Sequence, residues 1–349
     1  SEKKEIEQNK EDSEAAAVIL LDTIINEATS KNATDIHIEK NSVKFRVNGK
    51  IETNYQLDRK RSAELIQRIK FLAGLNVLDK HGSQDGSFVY GVDRSLYIRV
   101  STMSVIGNSS DVITEDFEES VVLRLLDTKR IPLCLEKLGF NNDQYSKLVD
   151  LCYERSGLIL ICGSTGVGKS TTAAALLLKI REIRKNQIKI ISVEDPAEYV
   201  IPGVTQIQVN KDNPMSQVLK YIFRQDPDVL MIGEIRDEKS ANVAIRAALT
   251  GHLVIATLHT TSAATSIYRL ADLGIKQNIL GTVLKGVVVQ QMDDQGESLK
   301  LIANVGIPEK GFEYKLSKLD NSCEIENLFS YIKSENETII KKPKEVFVQ

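Results

Sequence analysis

The octapeptide Gly163-Ser164-Thr165-Gly166-Val167-Gly168-Lys169-Ser170 constrains this chain more than any other stretch, because it fits G-x-x-x-x-G-K-[ST] in full. The spacing has a physical reason. Glycines let the backbone fold so that successive N–H groups point inward at phosphate oxygens. The helix expected from Lys169 turns its partially positive N-terminus toward the same anion. Lys169 adds a full charge at the β and γ phosphates, and the Ser170 hydroxyl is placed to ligate Mg²⁺. The bland alternative is an ordinary turn between a strand and a helix.

The surroundings suit the motif. Residues 157–162 (GLILIC) form a short, continuous apolar run, as a strand buried on both faces requires. Further buried-strand candidates are 188–193, 229–232 and 253–258, with helices expected at 142–155, at about 214–225 and 237–249, and over 262–292. Strand alternating with helix predicts an α/β domain with a parallel sheet. After Met292 the pattern degrades, and residues 293–349 give no assignable periodicity.

Upstream the grammar differs. Residues 1–14 are polar and charged and read as a solvated tail, or as the exposed start of a longer N-terminal region. Val18, Ile19, Leu21, Ile24, Ile25 and Ala28 have helical spacing, closed by Asn32 and Ala33. Ile36 and Ile38, then Val43, Phe45 and Val47, alternate as a hairpin around Lys40-Asn41-Ser42, and Asn48-Gly49 turns the chain again. An amphipathic helix over 61–75 and strands near 86–92, 95–101 and 119–126 complete a mixed α+β module. Within it, 106–120 is rich in acids and reads as a mobile acidic loop, or as a partner-docking one.

Hydrolysis needs a magnesium-shell carboxylate and a group that positions or deprotonates water. Two acidic clusters follow apolar strands: Glu194-Asp195-Pro196-Ala197-Glu198, and Glu234 at the end of 228–233. Ligands of open parallel sheets bind beyond the carboxyl ends of strands, so both clusters would face the phosphates. His252 and His259 flank one further strand, and their spacing of seven sends them to opposite faces unless the strand ends first. His259, at the C-terminal end, is the better γ-phosphate sensor; His252 reads equally well as a hydrogen-bonded structural group.

Composition excludes several classes. The 349 residues give length for about two domains at roughly 150 residues each. A net charge of 45 − 48 = −3, without basic runs interleaved with aromatics, argues against a nucleic-acid partner. No apolar run approaches the roughly 18 residues of a membrane helix, so no membrane insertion is expected. No secretory signal is evident, and the chain opens at Ser1 rather than Met. Cys134, Cys152, Cys162 and Cys323 are scattered without a C-x-x-C pair, which speaks against zinc and a disulfide framework and fits a reducing cytosol.

Together the motifs GSTGVGKST, VEDPAEY, RQDPDVLMIGEIRD and GHLVIATLHT make the chain resemble the motor ATPases of type II secretion and type IV pilus assembly, within the superfamily of hexameric secretion ATPases. The resemblance covers roughly residues 16–292. ATDIHIE, SQDGSF, YIRVST and VLRLLD are similar to that family's N-terminal PAS-like domain, which packs beside a RecA-like motor domain. The implied organisation is a polar tail 1–15, a PAS-like domain 16–127, a linker 128–136, a RecA-like P-loop ATPase domain 137–292 and a divergent C-terminal region 293–349.

The resemblance also implies roles. Residues 163–170 with Thr171 hold ATP, Glu194 activates water, Glu234 stands at the magnesium with Ser170, and His259 lies near the γ-phosphate. Arg99 and Arg124 act as arginine fingers from the N-terminal module, and Arg236 serves a subunit contact. The implied protein is a cytoplasmic homohexamer, peripheral to the inner membrane, which drives a platform protein there to assemble pilin-like subunits or secrete. Rival readings are a retraction or DNA-uptake motor of the same superfamily, and a nucleotide-binding regulator or scaffold with little hydrolysis. Two departures stand out: the family's four-cysteine metal module is missing, and Gln291-Met292-Asp293-Asp294 replaces its usual Gln-Arg-Leu and basic stretch. Either the C-terminal region has diverged or a segment is missing.

Overall fold

Alternating apolar residues between 35 and 47 can bury one sheet face only if helices cover it, and the first unit is built that way. This computed structural model describes residues 2–39, 41–47, 49–91, 96–106, 117–127, 133–209, 214–294, 298–316, 318, 322–333 and 339–341. Two units divide between Lys129 and Arg130. The first contains α1 (Glu2–Ser30), β1 (Asp35–Glu39), β2 (Ser42–Val47), β3 (Lys50–Gln56), α2 (Arg59–Leu72), β4 (Gln84–Tyr90), β5 (Leu96–Ile106) and β6 (Phe117–Asp127). Helix α1 therefore reaches back through the polar stretch expected as a tail.

The six strands pair antiparallel in the order β3-β2-β1-β6-β5-β4. Ile36, Ile38, Phe45, Ile98 and Leu123 are buried against Ile24 and Ile25 of α1 and Leu65 and Ile69 of α2. Asp58 caps α2 by accepting from the Arg61 N–H. Of the acidic stretch 106–120, residues 107–116 lie outside the described ones. Glu118 belongs to β6 rather than to the loop, and Glu119 lies in that strand as the range 119–126 anticipates. Glu119 is tied down because its Oε1 lies 2.5 Å from the fully buried ammonium of Lys70.

The second unit runs α3 (Asn142–Cys152), β7 (Gly157–Cys162), α4 (Lys169–Ile183), β8 (Ile190–Glu194), β9 (Thr205–Gln208), α5 (Met215–Tyr221), β10 (Val229–Ile232), α6 (Glu238–Leu249), β11 (Leu253–Leu258), α7 (Ala263–Asp272), α8 (Gln277–Val283), β12 (Leu284–Asp294), β13 (Ser298–Pro308), α9 (Phe312–Leu316), α10 (Ser322–Glu326), β14 (Phe329–Lys333) and β15 (Ile339–Lys341). Its sheet has the order β14-β13-β12-β7-β11-β10-β8-β9, with β15 beside β13. The six strands from β12 to β9 are mutually parallel. Every residue of β7, β10 and β11 is buried, which explains their uninterrupted apolar runs.

Two expectations need correcting. The helix over 262–292 is two helices and a strand: Gly274, at φ 85°, ends the turn after α7, and Leu284–Asp294 is β12. Where both sheet faces are covered, a strand loses its period of two, so Leu284 to Val289 carried no signal against helix. Nor does the second unit's sheet stop at 292, because β12 passes through that position and pairs antiparallel with β13 from Val287 to Asp294.

Candidate nucleotide-binding site

Strands β7, β11, β10 and β8 are consecutive parallel neighbours, so their carboxyl ends share one edge of the sheet. From that edge come the glycine-rich loop, His259, Glu234 and Glu194. Gly163, Gly166 and Gly168 have φ of 151°, 79° and 84°, where side chains are strained. A Cβ on Gly163 would also run into the Gln290 carbonyl and, at 2.6 Å, Val167 Cγ2. Ser164, Thr165 and Gly166 form the exposed rim, while Val167 and Lys169 are buried. Gly168 is the N-cap of α4 and brings no capping side chain, so no cap side chain claims the first-turn N–H groups.

Lys169 Nζ donates to the carbonyls of Gly163 (2.9 Å) and Ser164 (2.6 Å). Burial lowers its pKa, and the Glu234 carboxylate acts in the opposite direction. A desolvated ammonium at the mouth of an anion-binding loop fits a polyphosphate. Thr171 Oγ1 instead meets the Tyr199 hydroxyl at 2.9 Å.

Glu194, the last residue of β8, is only 5% exposed. Its Oε1 accepts from Ser192 Oγ (2.6 Å) and Gln206 Nε2 (3.0 Å). Burial raises its pKa above the ordinary carboxylate value, and these two donors partly counter the shift. Gln206 is itself fixed, because its Nε2 donates to Tyr199 O (2.7 Å) and its Oε1 accepts from Ile201 N (2.7 Å).

Glu234 follows β10. Its Oε1 lies 3.2 Å from His259 Nε2 and its Oε2 2.7 Å from Arg236 Nε. The other arm of Arg236 reaches Asp195 Oδ2 at 2.9 Å and so bridges the two acid clusters. Gly233 precedes Glu234 because β8 passes so close that a Cβ would lie 3.1 Å from Val193 O. Strand β11 ends at Leu258, so His252 and His259 lie outside it at opposite ends. His252 Nδ1 lies 3.0 Å from Ala247 O and 3.1 Å from Thr250 Oγ1, as in the structural reading.

Sequence reasoning missed Gln290. It is 1% exposed on β12, and its amide donates to Val167 O at 2.6 Å, pinning the loop from the neighbouring strand. A polar residue interrupting VVVQQ was the available signal. Ser192 and Gln206 gave none, since their value depends on where β8 and β9 lie. Arg99 and Arg124 belong to the first unit, directly opposite each other across β5 and β6. Arg124 Nε lies 3.0 Å from Asp35 Oδ1. Among the described residues, no group of three or more His, Cys, Asp or Glu side chains is disposed to hold a metal ion. A magnesium ion here would rely on Ser170, Glu234, water and phosphate oxygens.

A family model described as Type II/IV secretion system protein matches residues 10–312. The chain belongs to that family. The putative type II secretion system protein E of Escherichia coli K12 is 40% identical over 289 residues, which are 81% of this chain and 56% of that protein. The type II secretion system ATPase E of Vibrio cholerae is 37% identical over 302 residues, covering 82% and 57%. The chain thus spans about half the length of the curated relatives it matches. The pilus retraction motor PilT with bound ADP superposes with a TM-score of 0.64 at 27% identity, covering 84% of this chain and 85% of that one. The Legionella pneumophila ATPase DotB gives 0.70 at 21% identity, with 88% and 86% covered, and speaks for the fold alone. The second unit is accordingly the RecA-like P-loop fold of secretion ATPases. No helix among the described residues is long and apolar enough to cross a membrane.

Proposed function

We propose that this chain is a Mg²⁺-dependent ATPase that powers type II secretion or pilin assembly. The observation that carries the reading is the meeting, at one edge of the parallel sheet, of the phosphate loop with Glu194, Glu234 and His259. ATP lies with its triphosphate on the N–H groups of residues 163–171. Lys169 exchanges its carbonyl partners for phosphate oxygens. Ser170 and Glu234 would hold a magnesium ion, which would neutralise phosphate charge. Glu194, buried and with a raised pKa, takes the proton of the attacking water. His259 links Glu234 to the γ-phosphate, and Arg99 and Arg124 neutralise transition-state charge when the first unit closes. Residues 16–127 act as the PAS-like lobe of a homohexamer. Its motion is passed to a platform protein of the inner membrane, so the protein works in the cytoplasm at that membrane without entering it.

Steady-state hydrolysis tests the site. Lys169→Ala abolishes turnover, and wild-type rates in that variant would end the reading. Similarity to a retraction motor favours a second reading, in which the machine withdraws pili. Deleting the gene separates them: loss of pili or secretion supports assembly, and hyperpiliation supports retraction.

A further inference from the structure

One hydroxyl sits where three segments of the second unit meet. Ser266, in α7, is fully buried. Its Oγ lies 2.9 Å from Cys162 Sγ, 2.6 Å from Thr260 Oγ1 and 2.8 Å from Ser262 O. A hydroxyl has one proton and two lone pairs, so a single assignment satisfies all three contacts. Ser266 donates to the Ser262 carbonyl and accepts from the Thr260 hydroxyl and the Cys162 thiol. Burial raises the pKa of that thiol and keeps it a donor.

The placement matters more than the bonds. Cys162 is the last residue of β7 and directly precedes Gly163 of the phosphate loop; Thr260 directly follows His259. The β7–β11 ladder ends at Cys162 and Leu258, and the next backbone bond, from Gly163 N to Leu258 O, is a long 3.3 Å. Beyond that point Ser266 ties the two segments together.

We propose that Ser266 is a positioning residue that keeps the His259 loop in register with the base of the phosphate loop, an inference resting on the reading of this site as an ATPase centre. Ser266 touches no substrate and acts through Thr260 and Cys162. Without it, His259 drifts from the phosphate loop and from Glu234, whose Oε1 it meets at 3.2 Å. Lys169 and the loop N–H groups keep their grip on nucleotide. The cost therefore falls on turnover rather than on binding, because misplacement of a reacting-site group by even about 1 Å slows chemistry.

Ser266→Ala and Thr260→Val remove the two hydroxyls with little change of shape, and Thr260→Ser restores one. Hydrolysis rates and the Kd of a fluorescent ADP analogue are measured for each. Each hydroxyl-free variant should lower kcat about five- to tenfold and shift the ADP Kd less than about twofold. Thr260→Ser should run near the wild-type rate. The double variant Ser266→Ala/Thr260→Val should be no slower than its slower parent, because both changes break one link. Losses that multiply in the double variant, or a weakened Kd with kcat intact, overturn the proposal. Should Ser266→Ala fail to fold, the Thr260→Val and Thr260→Ser pair decides by the same criteria. Lys169→Ala is assayed alongside: if it hydrolyses normally the ATPase reading fails, whereas flat results at 260 and 266 with a dead Lys169→Ala defeat only Ser266.

Discussion

In the role proposed for it Glu194 has to be a carboxylate to take a proton, yet it is buried where a carboxylate is disfavoured. Ser192 and Gln206 resolve the conflict by donating to the charged form, while burial still leaves the pKa above the ordinary value. A base with a raised pKa loses function as pH falls through that pKa, so the acid limb of kcat/KM should lie above the usual carboxylate range. Ser192→Ala removes a bond that favours ionisation and should move the limb to still higher pH. A limb that stays in place or moves down would show that another group titrates. Glu194→Gln should keep ATP affinity and lower turnover by at least about 100-fold. Lost affinity with normal chemistry per bound ATP would remove Glu194 from the role of base.

Elements are held in place by a few contacts that no local pattern announces. Helix α2 meets β6 through Lys70, whose ammonium is wholly buried between Glu119 Oε1 and Asp79 O, each at 2.5 Å. Glu119→Leu would leave that charge without its carboxylate and should destabilise the first unit by about 3–5 kcal/mol in urea unfolding. Lys70→Met/Glu119→Leu should recover most of the loss, since a well-packed apolar pair avoids the desolvation cost. A double variant no more stable than the single one would contradict this. In the second unit β12 has the corresponding part, because Gln290 and the close approach of its carbonyl to Gly163 shape the phosphate loop from the adjacent strand.

For the whole molecule, the proposed motor needs the nucleotide site of the second unit to respond to the first, with Arg99 and Arg124 as its fingers. Arg99 and Arg124 face each other on one side of the first unit's sheet, and Asp35 lies in the same row between Arg124 and Arg46. Arg99→Ala and Arg124→Ala should depress kcat by about a hundredfold or more while changing nucleotide affinity little. Wild-type turnover in both variants would remove the finger assignment. Light scattering of the purified chain with and without ATP tests the six-fold assembly, and a particle that stays monomeric throughout would contradict it.

The glycine-rich loop was legible in the sequence because its motif lies in eight consecutive residues. So were β7, β10 and β11, whose apolar runs end at the candidate site, and the hairpin of β1 and β2, whose alternation survives because one face of that sheet is polar. The family resemblance supplied roles for Glu194, Glu234, His259, Arg99 and Arg124; composition alone could not. Only the tertiary structure decided that 284–294 is a strand, that β13, β14 and β15 extend the second unit's sheet, and that Glu119 is a buried partner of Lys70. It also placed Gln206 beside Glu194, Gln290 under Val167 and Ser266 between Cys162 and Thr260. Several of those assignments depend on contacts between residues more than a hundred positions apart, 123 for Gln290 and Val167, and a pattern read along the chain carries no record of which distant strands become neighbours.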